Sequence, residues 1–374
     1  MDCLDTHQAY FILNGLPGFG AATGHRLVRH FAGNPAQVLQ ASREALHEVP
    51  NLRANALESL LQPAAHFAWE KEAAQLQAIG GRFVAFDHSD YPELLKTVYD
   101  PPLGLYCLGP VVPGPKCIAI VGSRRSTLYG QEMAKRFAAQ LSQLGFCIVS
   151  GMARGIDAAA HQGALNAGGH TVAVFGSGVD VVYPPEHQKL YEAIARQGGI
   201  LSELRLGARC DRYTFPLRNR IIAGLCQAVL VIETDEHGGS MITAHTASEQ
   251  GRMVFAVPGR IDQNTSQGCH KLIREGATLV RHTDDILEEL SYLDKMPIAP
   301  GPIPRRPAKP SYEGLSEKET LLLKALHQQG LPTAADSLAE ATELPIAQVN
   351  ATLLSLELKK LLVKRADGRF EAKG

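Results

Sequence analysis

Between residues 117 and 280 the chain repeats one unit: a short continuous apolar run, a glycine-rich turn, then a helical stretch. The runs fall at 117–122, 146–150, 170–175, 200–203, 228–233, 253–257 and 277–280. A strand with one wet face alternates apolar and polar residues. An unbroken run such as Cys117-Ile118-Ala119-Ile120-Val121 needs apolar cover on both faces. Helices between such strands supply that cover. The expected fold is therefore α/β, a Rossmann-like, doubly wound parallel sheet.

The flanks read differently. Residues 1–75 are helical by period, with turns at Asn14-Gly15, Pro17-Gly18, Gly33-Asn34-Pro35 and Pro50-Asn51. Leu16-Pro17-Gly18-Phe19-Gly20 resembles the turn of a helix-hairpin-helix, where glycines expose amides to a phosphate. Up to Glu70 this segment carries four cations (Arg26, Arg29, Arg43, Arg53) against six acids, so a hairpin used for packing or protein contact fits equally. A small helical domain, helix-hairpin-helix or SAM-like, is expected over 1–75. The α/β domain is expected over 76–292, beginning with a bridge that ends in Pro- and Gly-rich turns near 100–115. Six prolines from Pro297 to Pro310 mark an extended linker over 293–312. Over 313–374, three amphipathic stretches and a hairpin turning on Asp367-Gly368 predict a winged helix.

Composition narrows the function classes. Thirty-seven basic residues against 38 acidic ones exclude a surface coated throughout with nucleic acid, though not one basic groove. Charge is segregated: Arg205, Arg209, Arg212, Arg218 and Arg220 face only Asp211 locally, while Asp284, Asp285, Glu288, Glu289 and Asp294 cluster later. The seven cysteines form no Cys-x-x-Cys pair and read as small core hydrophobes in a reducing compartment. No apolar run approaches the roughly 18 residues of a membrane span. Met1-Asp2-Cys3-Leu4-Asp5 lacks the basic and apolar regions of a secretion signal, so a cytoplasmic protein is expected.

In an open α/β sheet, ligands sit beyond the carboxyl ends of the strands. Those positions carry Gly122-Ser123-Arg124-Arg125-Ser126, Ser150-Gly151-Met152-Ala153-Arg154-Gly155, Gly176-Ser177-Gly178, Gly238-Gly239-Ser240 and Pro258-Gly259-Arg260. Several small-residue loops side by side suggest a shelf for several phosphates, and Arg124, Arg125 and Arg154 supply positive charge there. Nucleotide motifs are missing. There is no Gly-x-x-x-x-Gly-Lys-Ser/Thr, and Gly176-Ser177-Gly178 is followed by Val181 where a dinucleotide fingerprint needs glycine. No His-Glu-x-x-His, Cys/His spacing or Gly-x-Ser-x-Gly occurs, so neither metal, cofactor nor catalytic residue is expected.

Taken in order, these segments resemble the DNA-processing protein A family (DprA, also called Smf). The resemblance runs over about residues 85–287, through Ile118-Ala119-Ile120-Val121-Gly122-Ser123-Arg124, Ser150-Gly151-Met152-Ala153-Arg154-Gly155-Ile156-Asp157 and Tyr183-Pro184. Its most specific string is Phe215-Pro216-Leu217-Arg218-Asn219-Arg220-Ile221-Ile222-Ala223-Gly224, followed by Gly268-Cys269-His270-Lys271-Leu272-Ile273-Arg274. The resemblance implies a dimeric, non-catalytic, cofactor-free protein that binds and protects single-stranded DNA and loads the RecA recombinase during natural transformation. The alternative is a Rossmann-like nucleotide phosphoribohydrolase. That reading lacks its Pro-Gly-Gly-x-Gly-Thr loop, and no Glu follows Gly238-Gly239 before Glu249.

The family's DNA-contacting Arg corresponds by position to Arg124. Lys189 lies near a second family cation, although His187 stands where many members have Asn. Amides at Gly122-Ser123 and Ser150-Gly151 are expected to hold phosphates, with Arg124 supplying charge and Arg154 in the second loop. Arg218 and Arg220 extend the groove, or one of them pairs with Glu203 or Asp157 to hold the fold. Asn219 serves either a loop hydrogen bond or a base contact. Tyr129, Tyr183, Tyr213 and Phe215 are candidates for stacking on bases. Leu272, Ile273 and Leu279 fall where family members pair and meet RecA, or simply form the last helix and strand of the sheet.

Overall fold

A computed structural model of the chain describes residues 4–211, 213–293, 315–329, 333–365 and 368–372. The linker expected over 293–312 lies outside these residues from position 294, as does Asp367 of the expected hairpin turn. The chain divides into two compact units, Met1–Ile298 and Ala299–Gly374.

The first unit is built on a nine-stranded sheet. Its strands are β1 (Gly81–Ala85), β2 (Gly104–Leu108), β3 (Cys117–Gly122), β4 (Cys147–Ser150), β5 (Thr171–Val174), β6 (Gly199–Ser202), β7 (Ala228–Ile232), β8 (Met253–Ala256) and β9 (Thr278–Leu279). The order is β1-β2-β6-β5-β4-β3-β7-β8-β9, with β3 to β9 parallel. All seven strands expected from the apolar runs are present. The bridge adds two more: β1 and β2 pair antiparallel, and β2 pairs antiparallel with β6. Short segments flanked by prolines gave little strand signal. Their role is topological, since they cover what would be the open edge of β6.

The unbroken apolar runs are explained by cover on both faces. Cys117, Ala119 and Val121 of β3 join a core with Ile221, Ile222, Met241 and Ala244. Ile118 and Ile120, pointing the other way, pack with Phe137, Leu141, Ala160 and Ile286. A third core starts in the N-terminal helices with Phe11, Ile12, Leu27, Leu46 and Leu60, and runs on through Phe83 and Tyr106 to Ala173 and Phe175. Phe11 and Phe83 meet edge to face at 4.9 Å between centroids. The helical segment therefore shares its core with the sheet and belongs to the same compact unit.

The second unit has helices Glu317–Gln329, Ala335–Thr342 and Ile346–Leu358, then the antiparallel pair β10 (Leu362–Lys364) and β11 (Phe370–Ala372). Its core is Leu322, Leu326, Leu338, Val349, Leu353, Leu356 and Phe370. This is the expected winged helix. Its helix-start pattern closes as a capping box: Ser316 N–H donates to the Glu319 carboxylate, and Glu319 N–H donates to Ser316 Oγ.

Candidate nucleic-acid interface

From β3 the chain winds one way through β4, β5 and β6, then crosses back to β7, β8 and β9. The strand order reverses between β3 and β7, which is where open α/β sheets take their ligands. Here a protein side chain fills that crevice. Glu233, buried and with φ +49, directly follows β7. Its carboxylate accepts from Thr127 N–H at 2.7 Å and from Thr127 Oγ1 at 2.5 Å, while its carbonyl accepts from Ser123 N–H at 2.6 Å. A nucleotide phosphate would have to displace this carboxylate from the start of helix Leu128–Gln143.

The second loop repeats the pattern. Asp157 is buried in the first turn of helix Ile156–Asn166, and its Oδ2 accepts from the amides of Gly151 and Ala153 at 3.2 and 3.4 Å. In this geometry the amides of Ser123 and Gly151, expected to hold phosphates, donate to internal acceptors instead. Gly122 and Gly151 are small for a packing reason. A Cβ at Gly122 would strike the Ile232 carbonyl, and one at Gly151 would strike the Arg218 guanidinium. Ser150 likewise turns inward, its hydroxyl donating to the Ile120 carbonyl at 2.6 Å.

Arg218 and Arg220 are buried and held by internal partners. Arg218 donates from Nη1 to the carbonyls of Gly151 and Val174, at 2.8 and 2.7 Å, and from Nε to Asn219 Oδ1. Burial pulls its guanidinium down to about 10, and nearby Asp157 opposes that shift. Burial in turn pushes the Asp157 carboxyl up, against the pull of Arg218. Arg220 bridges the Asp100 carbonyl and the Glu203 carboxylate, each at 2.5 Å. Asn219 donates to the Gly239 carbonyl at 3.4 Å. In this geometry the three residues tie the loops together, which is the pairing alternative and not an extension of the groove.

What remains for a ligand is side-chain chemistry over β3 to β5. Arg124 and Arg125 are exposed, and the Arg124 guanidinium lies over the Phe215 ring at 4.7 Å from its centroid. Arg218 approaches the same ring from within, at 5.9 Å. Tyr183 lies 5.8 Å from Phe215, centroid to centroid, and is 38% exposed. Arg154 stands nearby on the loop after β4, in an exposed pair with Glu186 at 2.5 Å. An exposed pair of this kind is worth little, so a phosphate can compete for the guanidinium. His187 anchors the Tyr183 segment through its Nδ1 contact with the Met152 carbonyl, at 3.0 Å.

The other expected residues are placed apart. Lys189 is exposed on helix Gln188–Gln197 and forms no hydrogen bond or ion pair among the described residues. Arg205 turns toward the N-terminal helices, over the Phe67 ring at 5.2 Å. Arg212 lies outside the described residues. Leu272 is 3% exposed and packs in its own core, whereas Leu279 on the edge strand β9 is 41% exposed. Phe215 is one of the four stacking candidates named from sequence. Only its place beneath Arg124, which spacing does not reveal, singles it out.

Among the described residues no group of three His, Cys, Asp or Glu is arranged to hold a metal ion, and no helix is long and apolar enough to cross a membrane. Glu249, the first carboxylate after Gly238-Gly239, lies exposed at the far end of helix Gly239–Glu249.

Comparison with known proteins places this architecture. Residues 82–291 match the family model of DNA recombination-mediator protein A, and residues 306–368 match the DprA winged helix domain. Protein Smf of Synechocystis sp. is 33% identical, over 98% of this chain and 99% of its own. DNA processing protein A from Streptococcus pneumoniae superposes with a TM-score of 0.66 at 32% identity, covering 76% of this chain and 98% of that one. The Helicobacter pylori DNA processing protein A, whose single-stranded DNA binding mode has been described structurally, gives 0.51 at 29% identity, covering 56% and 96%. The chain belongs to the DNA recombination-mediator protein A family.

Proposed function

We propose that this chain binds single-stranded DNA along the carboxyl edge of β3 to β5 and passes it to RecA, acting as a binding protein without turnover. The observation that carries this reading is the exposed Arg124 guanidinium over Phe215, with Tyr183 alongside. It combines a charge for a backbone phosphate with aromatic faces for unstacked bases, the two elements a single strand needs. No base-reading helix enters the arrangement, so binding is sequence-tolerant and weakens with salt. Arg125 and Arg154 extend the charge to either side. Lys189 joins only if the strand continues onto helix Gln188–Gln197.

The hydrolase reading loses ground on two counts. Glu249 stands away from the loop after β7, and Glu233 occupies the amides a nucleotide would use.

Dimer formation and RecA contact are assigned to the end of the sheet at β9, where Leu279 is exposed and Ile273 partly buried; Leu272 supports them from the core. The test pairs sedimentation with RecA assembly on oligo-thymidine, for wild type and Leu279→Asp. Wild type is expected to sediment as a dimer and shorten the lag of RecA assembly, and the variant to do neither while still binding the strand. A wild-type protein that binds the strand yet leaves the lag unchanged would overturn the RecA assignment.

A further inference from the structure

Helix Ile346–Leu358 is the third helix of the second unit, the element that such folds commonly insert into a duplex groove. Its composition does not suit that task. It contains no Lys or Arg and one acid, Glu357. Lys359, just past its end, is held by the Glu319 carboxylate of the same unit at 2.8 Å. A helix of this charge offers little to a phosphate backbone.

Its outer face is apolar instead. Val349, Leu353 and Leu356 point into the core of the unit. On the opposite side Ala347, Ala351, Leu354 and Leu358 are exposed, the two leucines by 58% and 77%. Their spacing of four, three and four residues keeps them in one narrow stripe along the helix. That is the seam spacing of two paired helices.

The order of residues along the stripe selects the occupant. Two small side chains come first and two large ones last. In an antiparallel pair of two copies, Ala347 faces Leu358 and Ala351 faces Leu354, and two-fold symmetry repeats both contacts. Each leucine meets an alanine, so the helices close without gap or clash. A parallel pair would set leucine on leucine at one end and leave the alanines apart at the other.

Charge agrees with the antiparallel arrangement. Asn350 and Glu357 lie on the same flank of the stripe, and antiparallel pairing brings the Asn350 amide of one copy beside the Glu357 carboxylate of the other. Parallel pairing would bring the two Glu357 carboxylates together. Glu343, exposed just before the helix, comes to the end that carries Lys360 on the second copy. The helix dipoles oppose one another as well.

We infer that this face docks the same face of a second copy of the chain as an antiparallel helix pair. Four side chains fall short of the roughly 1,000 Å² of a stable interface, so the pair forms between chains already held side by side and adds nothing to assembly in dilute solution. Along a single strand it would join neighbouring dimers into a row. That use rests on the strand binding and dimer proposed above; the helix pairing does not.

The test uses full chains carrying Ala347→Cys or Leu358→Cys, air-oxidised with a copper catalyst and resolved on a non-reducing gel. Each is treated alone and as an equal mixture, both as concentrated protein and on oligo-thymidine long enough for several dimers. Both positions are exposed, and a Tm equal to that of wild type checks folding. Antiparallel pairing predicts disulfide-linked chains in the mixture at several times the yield of either variant alone, and Leu354→Glu placed in both chains should abolish the excess.

No excess in the mixture, with or without the strand, would overturn the proposal. So would cross-linking of Ala347→Cys alone as strong as that of the mixture, the mark of parallel helices. A mixture without excess, together with weaker binding of a labelled duplex by Leu354→Glu, would overturn it in favour of DNA as the occupant. An excess in concentrated protein that does not bind oligo-thymidine would uphold the pairing and refute the strand-binding reading alone.

Discussion

The guanidinium of Arg124 rests on the ring of Phe215, 4.7 Å from its centroid, although 91 positions separate them in the chain. Arg124 follows β3, while Phe215 opens helix Thr214–Gly224 after β6. The parallel sheet brings both to its carboxyl edge. The contact orients the charge over an aromatic face, so one pair of residues offers a phosphate contact and a stacking surface together.

That relationship separates two contributions by mutation. Phe215→Leu keeps the apolar bulk but loses the ring, so affinity for oligo-thymidine should fall about tenfold, within the range of one lost base stack. The salt slope should barely change, because no cation is removed. Fluorescence anisotropy at several salt concentrations reads both quantities. Affinity and slope both unchanged would assign Phe215 to packing alone.

Arg218 should behave as a structural residue. Arg218→Ala would leave the carbonyls of Gly151 and Val174 buried without their donor and remove the positive charge near the buried Asp157 carboxylate. Removing one partner from such a buried set costs about 3–5 kcal/mol. Arg125→Ala, at an exposed position, should stay within about 0.5 kcal/mol of wild type. The urea midpoint of the first unit's transition checks the pair, and equal midpoints would contradict the scaffold role.

How much of this was legible in the sequence depended on the length scale of each feature. Unbroken apolar runs such as Ala228–Ile232 announced a sheet covered on both faces, because burial leaves its mark within five residues. Ser316 and Glu319 announced a helix start for the same local reason. The arginine string at 218–220 left two readings open, since a cation looks the same in sequence whether it meets solvent or a cluster of carbonyls. Glu233 gave no signal at all. It ends an apolar strand, and only the return of β7 beside β3 brings it to Thr127. β2 was hidden because its partner β6 lies far along the chain, and β1 joins the sheet only through β2.

Acid should weaken the two units through different groups. His161 is buried against Thr171, and burial holds its imidazole down to about 3 from 6.5. The unfolded chain therefore takes up a proton that the native state refuses, and stability is lost as pH falls from about 6.5 toward 3. His161→Leu should reduce proton uptake on unfolding in that window by about one. In the winged helix, Lys359, with Ser355 and the Ser316 amide, holds the Glu319 carboxyl down to about 2. Its contribution is present above about 4.5 and is lost as pH falls toward 2. Hydrogen exchange across helix Glu317–Gln329 should rise in that range for wild type, and Glu319→Gln should flatten the response. A pH-independent profile in wild type would contradict the assignment.

The most direct test of the central claim is the binding of labelled oligo-thymidine across a salt series by wild type and Arg124→Ala. Wild type should bind with a steep loss of affinity as salt rises. The variant should bind about tenfold more weakly, with a salt slope smaller by about 0.7, the signature of one lost phosphate contact on a single strand. Wild type and variant binding with the same affinity and the same slope would contradict the account, because the strand would then lie elsewhere on the protein.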